Sequence, residues 1–168
     1  MSMIRYIAIA ALLASAAIFS GCGYHLGTEV EVPFSSITIE PVKNESFAPQ
    51  MQAEIHRQLA DAFASEPSMH VVPSGGQAHI KVTLVEYRRD VAAVNPSDTA
   101  SAASYRVTLS AKATLLDSTG KVLFRDRPFS ATLPAYAANG FSRTEYQTLP
   151  LLSRELARNI KDSSVDVW

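Results

Sequence analysis

Cysteine is almost absent from this sequence: the only one, Cys22, lies near the N-terminus. A chain with one thiol forms no internal disulfide, so its stability must come from a hydrophobic core. The four histidines show no metal-ligand spacing, and the sequence contains neither a Gly-rich phosphate loop nor a Gly-x-Ser-x-Gly turn. These absences predict a protein that is not an enzyme and that holds no metal ion and no cofactor.

A strong excess of charge and a long apolar run are both missing after Cys22. Of the fifteen Lys and Arg residues only Arg5 precedes Cys22, so fourteen remain against sixteen Asp and Glu. This balance gives no global reason to bind nucleic acid, and an anionic ligand would need a local basic patch. No segment after Cys22 has the ~20 apolar residues that a membrane-spanning helix requires.

The N-terminal segment has the layout of a bacterial lipoprotein signal. Arg5 is followed by the uncharged apolar run 6–19, and a pair of small residues stands directly before Cys22. A run of this length is typical of a signal peptide rather than of a membrane span. We therefore predict that residues 1–21 are a signal peptide and that Cys22 is acylated and becomes the new N-terminus.

Acylation of Cys22 would anchor the protein to a membrane. One acyl chain holds only weakly, whereas bacterial lipoproteins generally carry three, palmitate among them, which suffices. Gly23 stands where Asp retains many lipoproteins at the inner membrane. The sequence thus predicts a lipid-anchored protein on the periplasmic face of the outer membrane. The alternative is a buried cysteine that merely follows a signal sequence.

The chain that remains after signal removal has the size of one domain. It runs from Cys22 to Trp168, which is 147 of the 168 residues. That length encloses a substantial core. We predict a lipidated linker over residues 22–34 and a single α/β domain over residues 35–168.

The first half of this domain alternates between extended and helical patterns. Residues 35–42 are rich in β-branched side chains and predict a strand, which Pro41 keeps short or at an edge because it cannot donate to a ladder. An apolar stripe then predicts an amphipathic helix of roughly fifteen residues that Pro67 ends. Residues 78–89 alternate between apolar and polar side chains and predict a half-buried strand. The helix stripe consists of Met51, Ile55, Leu59 and Phe63.

The next segments predict a loop and then a hairpin. Residues 90–104 are rich in Ala and Ser and predict a long mobile loop, of the kind that is often functional. Residues 105–115 show the clearest strand alternation, and residues 117–120 predict a tight turn. The partner strand over residues 121–133 changes phase, which predicts a bulge or break near Pro128.

The C-terminal segment predicts a loop over residues 134–140 and a second amphipathic helix from Leu149 onward. The resulting order is β-α-β-β-β-α. We predict an α+β fold, a four-stranded mixed β-sheet with two α-helices packed on one face, because this arrangement buries every apolar stripe. The stripe of the second helix consists of Leu152, Leu156, Ile160 and Val167.

Basic residues lie on the strands that border the predicted loop. Arg88 and Arg89 end one strand, while Lys81, Arg106 and Lys112 alternate along that strand and the next. Such cations on one polar sheet face suit charge-assisted bonds to phosphate or carboxylate, although a solvated face is the alternative. Unbroken alternation places Arg89 rather than Arg88 beside Lys81, unless the strand bulges before the loop and exchanges their faces.

Several short segments of the mature chain are similar to segments of a known family. They are Gly-Cys-Gly-Tyr-His-Leu at 21–26, Pro-Phe at 33–34, Ile-Thr-Ile-Glu-Pro-Val at 37–42, the helix entry at 44–50, Ser-Tyr at 104–105 and the helix segment at 156–162. In these segments the chain resembles a divergent branch of LptE, the lipopolysaccharide-assembly lipoprotein family.

This resemblance implies a domain of two helices and four strands that sits within the outer-membrane β-barrel LptD and helps it to assemble. It also implies lipopolysaccharide binding by basic residues of the sheet, for which Lys81, Arg88, Arg89, Arg106 and Lys112 are the candidates. The Ala- and Ser-rich segment 90–104 departs from the family pattern, which puts an insertion role for its tip in doubt. The competing interpretation is an outer-membrane lipoprotein scaffold that makes protein contacts only.

Overall fold

The computed structural model describes residues 34–48, 50–136 and 141–166. The predicted signal peptide, Cys22 and almost all of the predicted linker lie outside the described residues, as does Val167. Acylation and the boundaries of the linker and the domain therefore stay predictions.

The first helix, α1, spans Met51–Ala64. Asn44 holds the turn that leads into it, since its Oδ1 accepts from the backbone N–H of Ser46 at 3.1 Å and its Nδ2 donates to the carbonyl of Ala48 at 2.7 Å. The whole predicted apolar stripe is buried. Helix α1 therefore forms as predicted and ends before Pro67.

Parallel pairing joins the early strands to the first long one. Strands β1 (Ser36–Ile39) and β2 (Lys43–Asn44) both pair with β4 (Ala78–Asn95), and β3 (His70–Val71) pairs with β1. Pro41 interrupts the ladder between β1 and β2, as predicted. Strands β2 and β3 were not predicted, because two residues are too few to show an alternating pattern.

The prediction of a loop over residues 90–104 is wrong. Strand β4 pairs with β5 (Asp98–Asp117) as far as Asn95 and Asp98, so the segment forms a hairpin arm. The turn is fixed by Asn95, whose Oδ1 accepts from the N–H of Ser97 at 3.1 Å and from its hydroxyl at 2.8 Å. Ladder hydrogen bonds and this side-chain turn satisfy the backbone, although small side chains give the arm little apolar pattern.

The second hairpin forms at the predicted turn. Asp117 Oδ1 accepts from the backbone N–H groups of Thr119 and Lys121 at 2.8 and 2.9 Å, and Gly120 has a φ of 84°. Positive φ is readily adopted by glycine, which lacks a Cβ. The chain then enters β6 (Val122–Tyr136), which runs further than the predicted strand and replaces the start of the loop predicted over residues 134–140.

The predicted phase change in β6 is a β-bulge. Ala113 pairs with Arg127 and Leu115 with Phe124, so two residues of β6 stand opposite Thr114 alone. One of them, Asp126, has a φ of 46°, and its N–H donates to Thr114 Oγ1 at 3.0 Å. The bulge lies just before Pro128, which confirms the prediction of a break near that residue.

The second helix, α2, spans Phe141–Val165 and begins well before the predicted start at Leu149. Pro150 lies inside it and is exposed. Proline removes one helical hydrogen bond, and here the affected carbonyl belongs to Tyr146, which is itself largely exposed and open to water. The predicted stripe members Leu152, Leu156 and Ile160 are fully buried.

The sheet has the strand order β3-β1-β4-β5-β6, and β2 pairs with β4 along the same edge as β1. Strands β4, β5 and β6 are antiparallel to one another. Both helices pack on one sheet face, and their stripes join the inward strand residues in a single core. The α+β class is therefore confirmed, whereas the predicted four strands are six, because β2 and β3 are added.

Candidate functional site

A second β-bulge, at Val85, decides which side chains of β4 point away from the helices. Leu84 pairs with Ala111 and Glu86 pairs with Ser110, so Val85 has no partner of its own in β5. Residues directly opposite each other in an antiparallel pair share a face. The extra residue therefore inverts the alternation between the first and second halves of β4.

This inversion places Arg88, not Arg89, on the same face as Lys81. Lys81 stands opposite Thr114 and Arg88 opposite Thr108, which both lie on the sheet face away from the helices, here called the open face. Arg89 stands opposite the buried Val107, on the helix side. The prediction from unbroken alternation is therefore wrong for Arg89, and the exchange of faces that a bulge would cause is what the structure shows.

Arg88 and Arg106 form the first of two basic groups on the open face. Arg88 Nε lies 3.1 Å from Asp90 Oδ2, and Asp90 stands opposite Arg106 in the ladder. The Arg106 side chain makes no ion pair with the described residues. Between these cations, the hydroxyls of Thr108 and Thr132 lie 3.0 Å apart. The group therefore combines two guanidinium groups with two hydroxyls at the sheet surface.

The second basic group surrounds a shallow cavity of about 210 Å³ near the bulge of β6. Lys43, Lys81 and Lys112 line it together with Glu40 and Asp126. Lys81 Nζ lies 3.2 Å from Glu40 Oε1, whereas Lys43 and Lys112 have no ion-pair partner in the described part of the chain. The cavity therefore presents three ammonium groups, two of which are uncompensated there.

Exposure of these ion pairs leaves the cations able to change partners. The side chains of Lys81 and Arg88 are 53% and 58% exposed, and those of Glu40 and Asp90 are 38% and 46% exposed. Exposed pairs of this kind stabilise a protein by only about 0–1 kcal/mol. A phosphate, which accepts stronger charge-assisted bonds from guanidinium groups, can therefore compete with these carboxylates.

Sequence reasoning missed Lys43. Ile39 pairs with Ile80 and Lys43 with Thr83, so β1 and β2 contain one more residue than β4 over the same stretch. That extra residue, at the break around Pro41, turns Lys43 onto the open face. The sequence signal for a break was Pro41 itself, but the pattern of four residues after it was too short to give a phase.

Other classes of site find no support in the described residues. Across residues 34–48, 50–136 and 141–166, no group of three or more His, Cys, Asp or Glu side chains is placed to hold a metal ion. Within the same ranges, no helix has both the length and the apolar character needed to cross a membrane.

Solved structures with this fold include several bacterial lipoproteins. The minor lipoprotein of Acinetobacter baumannii is 14% identical, with a TM-score of 0.54 over 79% of this chain and 93% of that one. Lipoprotein B of Nitrosomonas europaea is also 14% identical, with a TM-score of 0.54 over 85% and 88% of the two chains. A protein of Xanthomonas campestris, 10% identical, gives a TM-score of 0.60 over 82% and 88%. At such identities these likenesses establish the fold alone.

A search of curated proteins found no match. The family model described as lipopolysaccharide-assembly, LptE, matches residues 34–164, which is most of the 168-residue sequence and nearly all of the described fold. The resemblance that the sequence suggested is thereby confirmed. The chain belongs to the LptE family of lipopolysaccharide-assembly lipoproteins.

Proposed function

We propose that this protein is the lipid-anchored, lipopolysaccharide-binding subunit of an outer-membrane export barrel of the LptD type. In this role it plugs the barrel, assists its assembly and helps to insert lipopolysaccharide into the outer leaflet. It carries out no catalytic step. Family membership supports the general role in lipopolysaccharide assembly, and the single observation that carries the binding role is the position of the cations on the open face.

The open-face cations are Lys43, Lys81, Arg88, Arg106 and Lys112. Their two groups lie at different heights along the sheet: from Lys81 to Arg88 the backbone rises roughly 20 Å at about 3.3 Å per residue. A ligand with more than one anionic group along its length can therefore contact both. The phosphorylated head of lipopolysaccharide has this character, and the threonine hydroxyls between the groups supply further hydrogen bonds.

A scaffold that makes only protein contacts is the second candidate. The observation that favours it is the pairing already present on the open face, where Glu40 neutralises Lys81 and Asp90 neutralises Arg88. In a scaffold these pairs would order the surface and bind no glycolipid. The two functions differ in whether lipopolysaccharide binding depends on the open-face cations.

Copurification from a detergent-solubilised envelope tests the proposal as a whole. We expect the tagged full-length protein to retain one large β-barrel protein together with lipopolysaccharide. The double variant Lys81→Glu, Arg88→Glu should keep the barrel and lose most of the lipopolysaccharide. Purification without a β-barrel partner contradicts the plug role, and a barrel with an unchanged amount of lipopolysaccharide in the double variant favours the scaffold.

A further inference from the structure

The two helices enclose a groove on the side of the molecule opposite the open face. This groove, here called the helix groove, has a volume of about 460 Å³. That is within the usual size range of small-molecule sites, roughly 300–1,000 Å³. Its walls include Gln58, Asp61, Ala62 and Ser65 from α1, and Arg154 and Arg158 from α2.

The α2 wall carries two cations without compensation. Arg154 and Arg158 are one helical turn apart, which places their side chains on the same face of the helix. Both are exposed, and neither makes an ion pair or a side-chain hydrogen bond within the described residues. A third cation, Lys161, is already engaged by Asp162 at 2.7 Å and by Glu66 at 3.4 Å.

The carboxylates of the α1 wall are already neutralised by a neighbour. Arg57 lies 3.0 Å from Asp61 and 2.7 Å from Glu54, and Gln58 donates to the same Glu54 carboxylate at 2.9 Å. The charge left over in the groove is therefore positive and belongs to the two guanidinium groups of α2.

The space in front of these guanidinium groups is left open by small side chains on α1. Ala62 has no further extent, and the Ser65 hydroxyl turns back to donate to the carbonyl of Ala62 at 2.6 Å. A guanidinium group binds phosphate through two parallel N–H bonds, which gives phosphate an advantage over a ligand that offers a single acceptor. The groove is also larger than a phosphate ion and has room for the organic group that the phosphate is attached to.

We propose that the helix groove binds a phosphomonoester, free or as a lipid headgroup, through Arg154 and Arg158. The site is separate from the open face, because the sheet lies between them. It does not depend on the lipopolysaccharide-binding role proposed above. An acidic protein segment is the competing occupant, and the concave shape and small volume of the groove favour the phosphomonoester.

Amide NMR shifts in the full-length protein in nonionic detergent micelles test this site directly. The probes are inorganic phosphate and short-chain phosphatidic acid, with short-chain phosphatidylcholine as the control lipid. We expect saturable shifts of the Ala62 and Ser65 amides with phosphatidic acid. A matching response to inorganic phosphate identifies free phosphate as a sufficient ligand, and a response to phosphatidic acid alone identifies a headgroup. Shifts confined to Thr83 and Lys112 report binding at the open face only and overturn the proposal.

The double variant Arg154→Gln, Arg158→Gln should weaken the binding about tenfold or more, since it removes the charge-assisted bonds. Arg125→Gln, which removes an exposed arginine on β6 outside the groove, should bind as the wild type does. Equal binding by the wild type and the double variant overturns the proposal. A polyglutamate peptide that shifts the Ala62 and Ser65 amides, when neither phosphate probe does, also overturns it.

Discussion

At the scale of single residues, Gly76 lies against the backbone of β1. Its N–H donates to Thr38 Oγ1 at 3.0 Å, and a Cβ added to it would lie 2.7 Å from the backbone nitrogen of Thr38. Backbone atoms of a paired strand cannot move aside cheaply. We therefore expect Gly76→Ala to lower the free energy of unfolding by about 1–3 kcal/mol, as overpacking does.

Gly75→Ala is the matched control for this prediction. Gly75 has a φ of 71° but open space around it, so alanine there meets only the backbone cost of about 1–2 kcal/mol. Denaturant unfolding of both variants measures the comparison. An alanine at position 76 that leaves stability at the wild-type level would show that the close approach to β1 is not a constraint.

Val85 is the residue that most changes the candidate site, and its effect was only partly predictable. Leu84 and Val85 are successive apolar residues followed by Tyr87, which signals a change of phase in an alternating strand. That signal leaves the position of the bulge open, because a partly buried Val85 fits either face. Only the pairing of Glu86 with Ser110 fixes the bulge, and with it the faces of Arg88 and Arg89.

At the scale of elements, α2 provides a direct comparison between a buried and an exposed leucine. Leu156 is fully buried, whereas Leu151 on the same helix is 53% exposed. We expect Leu156→Ala to cost about 2–5 kcal/mol of stability and Leu151→Ala to cost less than about 0.5 kcal/mol. Thermal or denaturant unfolding checks this, and similar losses for both variants would contradict the packing of α2 on the sheet.

Helix α1 should contribute a pH-dependent component of stability through Glu54. The hydrogen bond from Gln58 lowers the pKa of Glu54, burial opposes this, and the bond and charge of Arg57 lower the pKa further. A carboxyl whose pKa is lower in the folded state stabilises that state above its unfolded pKa, and this contribution is lost as pH falls through the folded pKa. The stability that Glu54 adds should therefore be full near neutral pH and decline below its ordinary value of 4.5.

Glu54→Gln isolates this component. The difference in unfolding free energy between wild type and variant should be largest near pH 7 and should shrink as the solution is acidified below pH ~4. Urea unfolding at several pH values measures that difference. A difference that does not change with pH would mean that the Gln58 and Arg57 contacts do not favour the ionised form.

Elements with long repeating patterns were predictable, and those that depend on pairing partners were not. The stripes of α1 and α2 are long enough to fix the inward face of each helix. The hairpin arm over residues 90–104 was missed because small side chains give no periodicity, although its Asn-Pro-Ser turn carried a local signal. The early start of α2 was missed because Pro150 ordinarily interrupts a helix.

At the scale of the whole molecule, membrane attachment rests on Cys22, which lies outside the described residues. Acylation is needed because no described helix can span a bilayer. We expect Cys22→Ala to abolish fatty-acid labelling and to leave an unprocessed or soluble form of the protein. Metabolic labelling followed by envelope fractionation measures both effects. A Cys22→Ala variant that still carries fatty acid would refute the lipoprotein signal.

The most direct measurement for the account is lipopolysaccharide binding by a pair of charge reversals at adjacent positions. Arg88 and Arg89 are neighbours in sequence but lie on opposite faces of β4 because of the bulge at Val85. Purified full-length proteins should be compared at low salt, where electrostatic screening is weakest, after thermal unfolding has shown that each variant is folded. The account predicts that Lys81→Glu, Arg88→Glu binds lipopolysaccharide at least about tenfold more weakly than wild type, since charge-assisted bonds are lost, whereas Arg89→Glu binds as wild type does. Equal binding by wild type and the Lys81, Arg88 double variant, or a loss confined to Arg89→Glu, would contradict the assignment of the open face as the lipopolysaccharide site.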